Sequence, residues 1–162
     1  MTKQEVITML TKILESMGID SWVVDVRSKA KRSKNANAYS WVLQEKIANE
    51  RRLSKDDVHV QMLTDYGQTA TDEDGNKIFL SIESRINPKS FYKYIAVAGI
   101  GHVGDKEFTH YRALKGSSDF DQNEMSIFLD GVIQEAVQLG IDVITPSERE
   151  KMIQLWGEKK GE

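Results

Sequence analysis

The sequence contains no cysteine, only two prolines and no long hydrophobic run. The lack of cysteine excludes disulfides, thiolate catalysis, zinc–thiolate sites and iron–sulfur clusters. No apolar stretch approaches the roughly 20 residues that cross a bilayer, and the first residues lack the apolar segment of a secretory signal. We therefore expect a cytoplasmic protein that has no membrane partner.

The chain also lacks a strong excess of either charge. Its 162 residues include 22 lysines and arginines and 25 aspartates and glutamates, which gives a net charge of −3. This balance excludes a histone-like polycation but leaves room for a local basic patch. The length is that of one domain, and the 40% hydrophobic and 29% charged residues are close to the average of globular proteins.

Apolar spacing and capping residues predict several helices and short strands. Helices are expected at 2–17, at 35–52, after the N-cap Ser54, at 121–139 and from 145 onward. Strands are expected at 21–26 and 78–82, and residues 96–104 and 107–114 should pair around a glycine-rich turn. Residues 66–77 are expected to form a loop, and Asn87-Pro88 should open a short helix that reaches Tyr94.

These elements predict an α+β fold, mostly helical with a small antiparallel sheet, in a single domain. We expect an amino-terminal helix at 1–18, the main domain at 19–157 and a flexible tail at 158–162. Much of the core should come from the helix at 121–139, whose apolar positions follow a helical stripe: Met125, Phe128, Leu129, Val132, Ile133 and Ala136.

The strongest local signal is a basic segment at residues 27–34. It holds five cations and no acid, namely Arg27, Lys29, Lys31, Arg32 and Lys34. Such cations bind phosphates, and the helix that follows adds Asn37, which can hydrogen-bond nucleic acid, and Trp41, which can stack on unpaired bases. Because Tyr39 and Trp41 point about 200° apart on one helix, one of them should lie at the rim of the core. The segment therefore predicts contact with nucleic acid; the alternative is a solvated loop before an amphipathic helix whose Tyr39 and Trp41 are core residues.

Catalytic and metal motifs are weak by comparison. Residues 99–104 match the dinucleotide motif G-x-G-x-x-G, but the stretch that follows is strand-like, whereas the motif requires a helix. His102, Asp105 and His110 flank one predicted turn without a typical zinc spacing. His110 shares one side of its predicted strand with Phe108, and it should be a buried imidazole if that side faces the core. We expect no catalytic residue, no metal and no cofactor.

Residues 32–43, which read R-S-K-N-A-N-A-Y-S-W-V-L, resemble the signature of the NinB (Orf) family of phage recombination proteins, in its Gram-positive-phage branch. The stretches at 111–118, 128–133 and 139–146 are similar to the same branch. The resemblance covers about residues 23–156. It departs from the better-known relatives at Asn35-Ala36, where those have Asp-Gln, and the helix at 2–17 has no clear counterpart in them.

The resemblance implies a mediator-like recombination accessory protein of the host-cell cytoplasm. Such a protein binds single-stranded DNA, engages the host single-strand binding protein, forms a homodimer and uses no cofactor. The motif carries DNA contact onto Arg32, Ser33, Asn37 and Trp41. Together with the basic segment and the arginines at the end of its helix, the expected DNA-binding residues are Arg27, Lys29, Lys31, Arg32, Ser33, Lys34, Asn37, Trp41, Arg51 and Arg52.

Two other functions are compatible with the sequence. The first is a metal-dependent phage nuclease or resolvase that uses some of the many carboxylates, with or without His102 or His110. The second is an inhibitor or adaptor that binds only protein, which would fit the net charge of −3.

Overall fold

A computed structural model describes residues 35–161 continuously and, before them, residues 2, 4–6, 8, 9 and 12. The strand predicted at 21–26 and the basic segment at 27–34 lie outside these residues. Near the amino terminus, residues 4–6, 8, 9 and 12 are helical, and the Thr2 hydroxyl accepts a hydrogen bond from the Glu5 backbone N–H at 3.1 Å. The beginning of the helix predicted at 2–17 is therefore as expected, whereas its end lies outside the described part.

Four longer helices follow, and their starts agree with the sequence analysis. They are α1 (Ala36–Arg51), α2 (Lys55–Tyr66), α3 (Gln122–Gln138) and α4 (Pro146–Lys159). Each has a side-chain oxygen at its N-cap that accepts from a backbone N–H of the first turn, supplied by Asn35, Ser54, Asp121 and Thr145. None of the helices in the described residues has the length and hydrophobicity that crossing a bilayer requires.

The core lies around α3, against which the other three helices pack. Met125, Phe128, Leu129, Val132 and Ala136 of α3 are fully buried, and Ile133 is partly buried against them. The predicted apolar stripe is therefore confirmed.

The carboxyl-terminal boundary expected at residue 157 falls inside α4, which continues to Lys159. Trp156 and Gly157 are buried in this last turn, and the Trp156 indole donates to the Phe120 carbonyl at 2.9 Å. Packing of the indole therefore holds the final turn of the helix in place.

The sheet has three antiparallel strands in the order β1 (Phe79–Glu83), β3 (Lys106–Ala113), β2 (Ile95–Val103). The expected small antiparallel sheet in one α+β domain is confirmed, and helices make up 53% of the structure. Arg112 of β3 ties the sheet to the helices, because its guanidinium donates to the Thr64 carbonyl and to the Thr69 hydroxyl, both at 3.0 Å.

The two extended segments predicted at 96–104 and 107–114 pair as expected, as β2 and β3. Gly99 and Gly101 lie within β2, next to an irregularity between Val97 and Gly99, and the turn itself is formed by Gly104 and Asp105. Gly101 faces His110 across the strands so closely that a Cβ would lie 2.9 Å from the imidazole Nε2. Close cross-strand approach therefore favours glycine at residue 101, whereas the positive φ of +62° favours it at Gly104.

The helix predicted after Asn87 is also shorter than expected. Only Pro88–Ser90 form a single 3₁₀ turn, because the Tyr94 carbonyl already accepts from the Leu114 N–H at 2.9 Å and the chain enters β2 at Ile95.

Candidate nucleic-acid interface

The basic segment is joined directly to the start of α1. Lys34 precedes Asn35, whose side-chain oxygen accepts from the Ala38 N–H at 3.1 Å and caps the helix. Six of the expected DNA-binding residues lie in this segment, outside the described residues: Arg27, Lys29, Lys31, Arg32, Ser33 and Lys34. The geometry of the site must therefore be built from α1 onward.

Trp41, on the second turn of α1, lies at the rim of the core. It is partly exposed, and its indole stacks on the His59 imidazole with ring centres 3.8 Å apart. The Lys55 ammonium lies 5.3 Å from the centre of the Trp41 ring. Tyr39 instead packs against the core, and its hydroxyl accepts from the Ile144 N–H at 3.0 Å. The prediction that one of these two aromatics lies at the rim is confirmed.

His59 connects Trp41 to the start of the sheet. Its ring lies 5.1 Å, edge to face, from the Tyr94 ring, and the Lys93 ammonium lies 5.1 Å from the centre of Tyr94. We call Trp41, His59 and Tyr94, with Lys55 and Lys93 beside them, the aromatic cluster. It brings together side chains from α1, α2 and the entry to β2.

His59 supports this cluster as a neutral ring. It is 1% exposed, and its Nδ1 lies 2.7 Å from Gln44 Oε1, which accepts the hydrogen bond. Burial lowers the pKa of His59 to about 4, against the opposing effect of Asp56 and with a further lowering by Lys93. The positive charge of the aromatic cluster at neutral pH therefore comes from its lysines.

The other expected DNA-binding residues in and just after α1 either make contacts that stabilise the fold or lie far from Trp41. Asn37 Oδ1 accepts from the Ser117 hydroxyl at 2.7 Å and so holds the 3₁₀ turn Ser117–Asp119 against α1. Arg51 pairs with Glu135 at 2.6 Å. Arg52 is exposed, but it follows the last residue of this 16-residue helix, about 17 Å along the helix axis from Trp41. The structure therefore does not bring Arg51 and Arg52 together with Trp41.

Glu135 shows why Arg51 is held in place. Its second carboxylate oxygen accepts from the Tyr66 hydroxyl at 2.7 Å, and the hydrogen bonds from Tyr66 and Arg51 lower the pKa of Glu135. The three side chains join α1, α2 and α3, so the role of Arg51 in this arrangement is structural.

Sequence reasoning missed the lysines and the tyrosine of the aromatic cluster. Lys55, Lys93 and Tyr94 come from two distant segments that only tertiary packing brings beside Trp41. One sequence signal was available, because residues 84–104 contain no acid in 21 positions and carry three cations among several aromatic residues.

His102 and His110 both lie on the sheet, and His110 is less buried than the sequence analysis considered. The buried positions of β3 are Thr109, Tyr111 and Ala113, so Phe108 and His110 occupy the other side of the strand and are only partly buried. His110 is therefore not the buried core imidazole that the sequence analysis considered. His102 lies in β2, near the turn, and its ring is 3.6 Å from Glu107.

Neither histidine completes a metal or nucleophilic site in the described part of the chain. His110 Nδ1 lies 2.7 Å from the Ser81 hydroxyl, but the opposite ring nitrogen faces Gly101, where a nucleophilic triad would place an orienting carboxylate. Within the described residues, no group of three histidine or acidic side chains is arranged to hold a metal ion.

No family model matches the chain, and neither a curated protein nor a solved structure is significantly similar to it.

Proposed function

We propose that this protein is a non-catalytic, mediator-like accessory of phage recombination that binds single-stranded DNA and the host single-strand binding protein. The observation that carries the DNA-binding part is the aromatic cluster, whose Trp41 lies on α1, the helix that follows the basic segment in the sequence. The resemblance of residues 32–43 to the NinB (Orf) family supports the role in recombination and the protein partner.

The chemistry of the cluster suits unpaired nucleotides. Every base has a π-face that can stack on an aromatic ring, and such contacts contribute about 1–3 kcal/mol per base with little sequence preference. A base stacked on the exposed part of Trp41 would bring its phosphate close to Lys55, while the cations of the basic segment neutralise phosphates further along the strand. In a duplex the bases stack on one another, so this interface favours single strands.

The first test compares labelled single-stranded, duplex and branched DNA in an anisotropy assay, with and without Mg²⁺ or Mn²⁺. We expect tighter binding to the single strand and no cleavage in either metal. Trp41→Leu should weaken single-strand binding about five-fold or more, because it removes the stacking ring. Trp41→Phe, which keeps a ring against His59, is the matched control and should retain most of the affinity.

Two results would reject this function. Metal-dependent cutting of the DNA would support a nuclease or resolvase. No affinity for any of the three DNAs at low salt would support a protein that binds only protein. Binding of the chain to DNA already coated with host single-strand binding protein tests the proposed protein partner.

The proposal includes a homodimer, for which β2 offers a suitable edge. β2 lies at one side of the sheet and has no charged residue in nine positions, and Val97 and Ile100 on it are 68% and 63% exposed. Long uncharged edge strands pair readily with another strand. Light scattering should therefore give twice the chain mass, and Val97→Lys with Ile100→Lys should give a monomer. A wild-type monomer at high concentration would refute the dimer.

A further inference from the structure

We propose that residues 85–93 form a second DNA contact, in which Phe91 and Tyr92 stack on unpaired bases beside a groove on β1. This inference rests on the proposed function, because it extends the DNA path beyond the aromatic cluster. Its starting point is the exposure of two adjacent aromatic side chains: Phe91 is 61% exposed and Tyr92 is 37% exposed.

The loop presents these rings from a backbone that is already ordered. Asn87 Oδ1 accepts from the Lys89 N–H at 3.0 Å, and the Ser90 hydroxyl donates to the Asn87 carbonyl at 2.7 Å. The Phe91 N–H donates to the Pro88 carbonyl at 3.0 Å and closes the 3₁₀ turn. Binding at a preorganised loop does not lose affinity to ordering of the backbone.

Phe91 also forms one wall of a surface groove against the sheet. The groove measures about 400 Å³, which is within the size range of ligand pockets, and its apolar lining comes from Leu80, Ile82, Ile86, Phe91 and Phe108. A flat ring that stacks on Phe91 could therefore also cover apolar surface on β1.

The charges of the loop select an anionic occupant. Arg85, Lys89 and Lys93 are its charged residues, and the stretch from 84 to 104 contains no acid. Glu83, which lines the groove, is paired with Arg85 at 3.1 Å, so these two charges offset each other and the net positive charge of the loop comes from Lys89 and Lys93. An anionic chain that also carries flat aromatic rings is an unpaired nucleic-acid strand, and regularly spaced cations with exposed aromatics are the pattern that binds it.

The two contacts lie close enough for one strand to reach both. Phe91 precedes Tyr94 of the aromatic cluster by three residues, a separation of at most about 10 Å along an extended chain. Lys93 lies between them and contacts the Tyr94 ring. A single strand could therefore pass from Trp41 over Lys93 to Phe91.

The test uses two oligomers of 20 nucleotides, one of thymidines and one of abasic sites with the same phosphates. Phe91→Ala with Tyr92→Ala should weaken binding to the thymidine oligomer about five-fold or more, and binding to the abasic oligomer less than two-fold. Phe79→Ala is the matched control, since Phe79 is 58% exposed but lies on β1 outside the loop. It should leave both affinities unchanged.

A cross-linking measurement on the wild-type chain needs no substitution. Irradiation of a bound 5-iodouracil oligomer should attach it to the tryptic peptide of residues 90–93, which contains both aromatic residues and ends at Lys93. Attachment there supports the second contact even if the double variant fails to fold.

The outcomes separate the two proposals. If wild-type protein binds single-stranded DNA but cross-links only elsewhere, and the double variant binds normally, the second contact is refuted while the proposed function stands. If the double variant loses the same affinity for the thymidine oligomer as for the abasic oligomer, stacking at this loop is refuted. If the wild-type chain binds no DNA at low salt, the proposed function fails and the second contact fails with it.

Discussion

Tyr39 and Trp41 lie two residues apart on α1, but their side chains lie in different environments. Tyr39 packs on the core and accepts a hydrogen bond from the Ile144 backbone, whereas Trp41 lies at the rim and stacks on His59. His59 in turn is buried and bonded to Gln44, so it holds the indole from below. A surface aromatic ring is thus positioned by a buried polar side chain.

The burial of His59 predicts a pH dependence of stability. Its pKa of about 4 in the folded protein is below the ordinary value of 6.5, so the unfolded chain binds a proton that the folded chain does not. Stability should therefore fall as the pH decreases from 6.5 to 4, by on the order of 1 kcal/mol per pH unit from this residue. Urea unfolding of wild type and His59→Gln at pH 4.5, 5.5 and 6.5 measures this contribution to the free energy of unfolding. An identical pH dependence in the two proteins would contradict the assignment.

His102 and His110 are expected to contribute neither metal binding nor DNA affinity. His102 lies eight residues along the sheet from Tyr94, which corresponds to about 26 Å, and His110 is paired with Ser81. Single-strand affinity of a His102→Ala, His110→Ala variant should stay within two-fold of wild type, with or without a chelator. If the untagged protein held stoichiometric metal, or if this variant lost bound metal, the result would instead support a metal-dependent nuclease function.

At the scale of elements, local signals were sufficient for the starts of the four longer helices. The N-caps at Asn35, Ser54, Asp121 and Thr145 act within one turn, so the residues that make each cap are adjacent in sequence. The pairing of the glycine-rich segment was predicted, but the close approach of Gly101 to His110 on the neighbouring strand was not, because it arises only when the two strands pair. The helix expected to reach Tyr94 is cut short by the hydrogen bond between Tyr94 and Leu114, which lies 20 residues further along the chain.

The buried stripe of α3 predicts a large effect at Leu129. Its side chain is fully buried, so Leu129→Ala should lower the free energy of unfolding by about 2–5 kcal/mol through lost burial and a residual cavity. Ile127, on the same helix, is 47% exposed, and Ile127→Ala should change the free energy of unfolding by less than about 1 kcal/mol. Denaturant unfolding of both variants compares them. Similar values would contradict the assignment of the core face.

At the scale of the whole molecule, the distribution of charge is more informative than its sum. In a chain with a net charge of −3, residues 27–34 carry five cations and no acid, and residues 84–104 carry three cations and no acid. The sequence indicated the first region and singled out Trp41, but not the aromatic cluster. Lys55 and Tyr94 join Trp41 only after α1, α2 and the sheet have packed, and no spacing in the sequence records that contact.

The most direct test of the central claim is the salt dependence of single-strand binding, measured for wild type and for a variant with Lys31, Arg32 and Lys34 changed to alanine. Each lost phosphate contact should reduce the slope of log affinity against log salt by about 0.7. We predict weaker binding and a slope lower by up to about 2 in the variant, which should remain folded. Unchanged affinity and slope in the folded variant would contradict the claim that the basic segment and the aromatic cluster form one interface for single-stranded DNA.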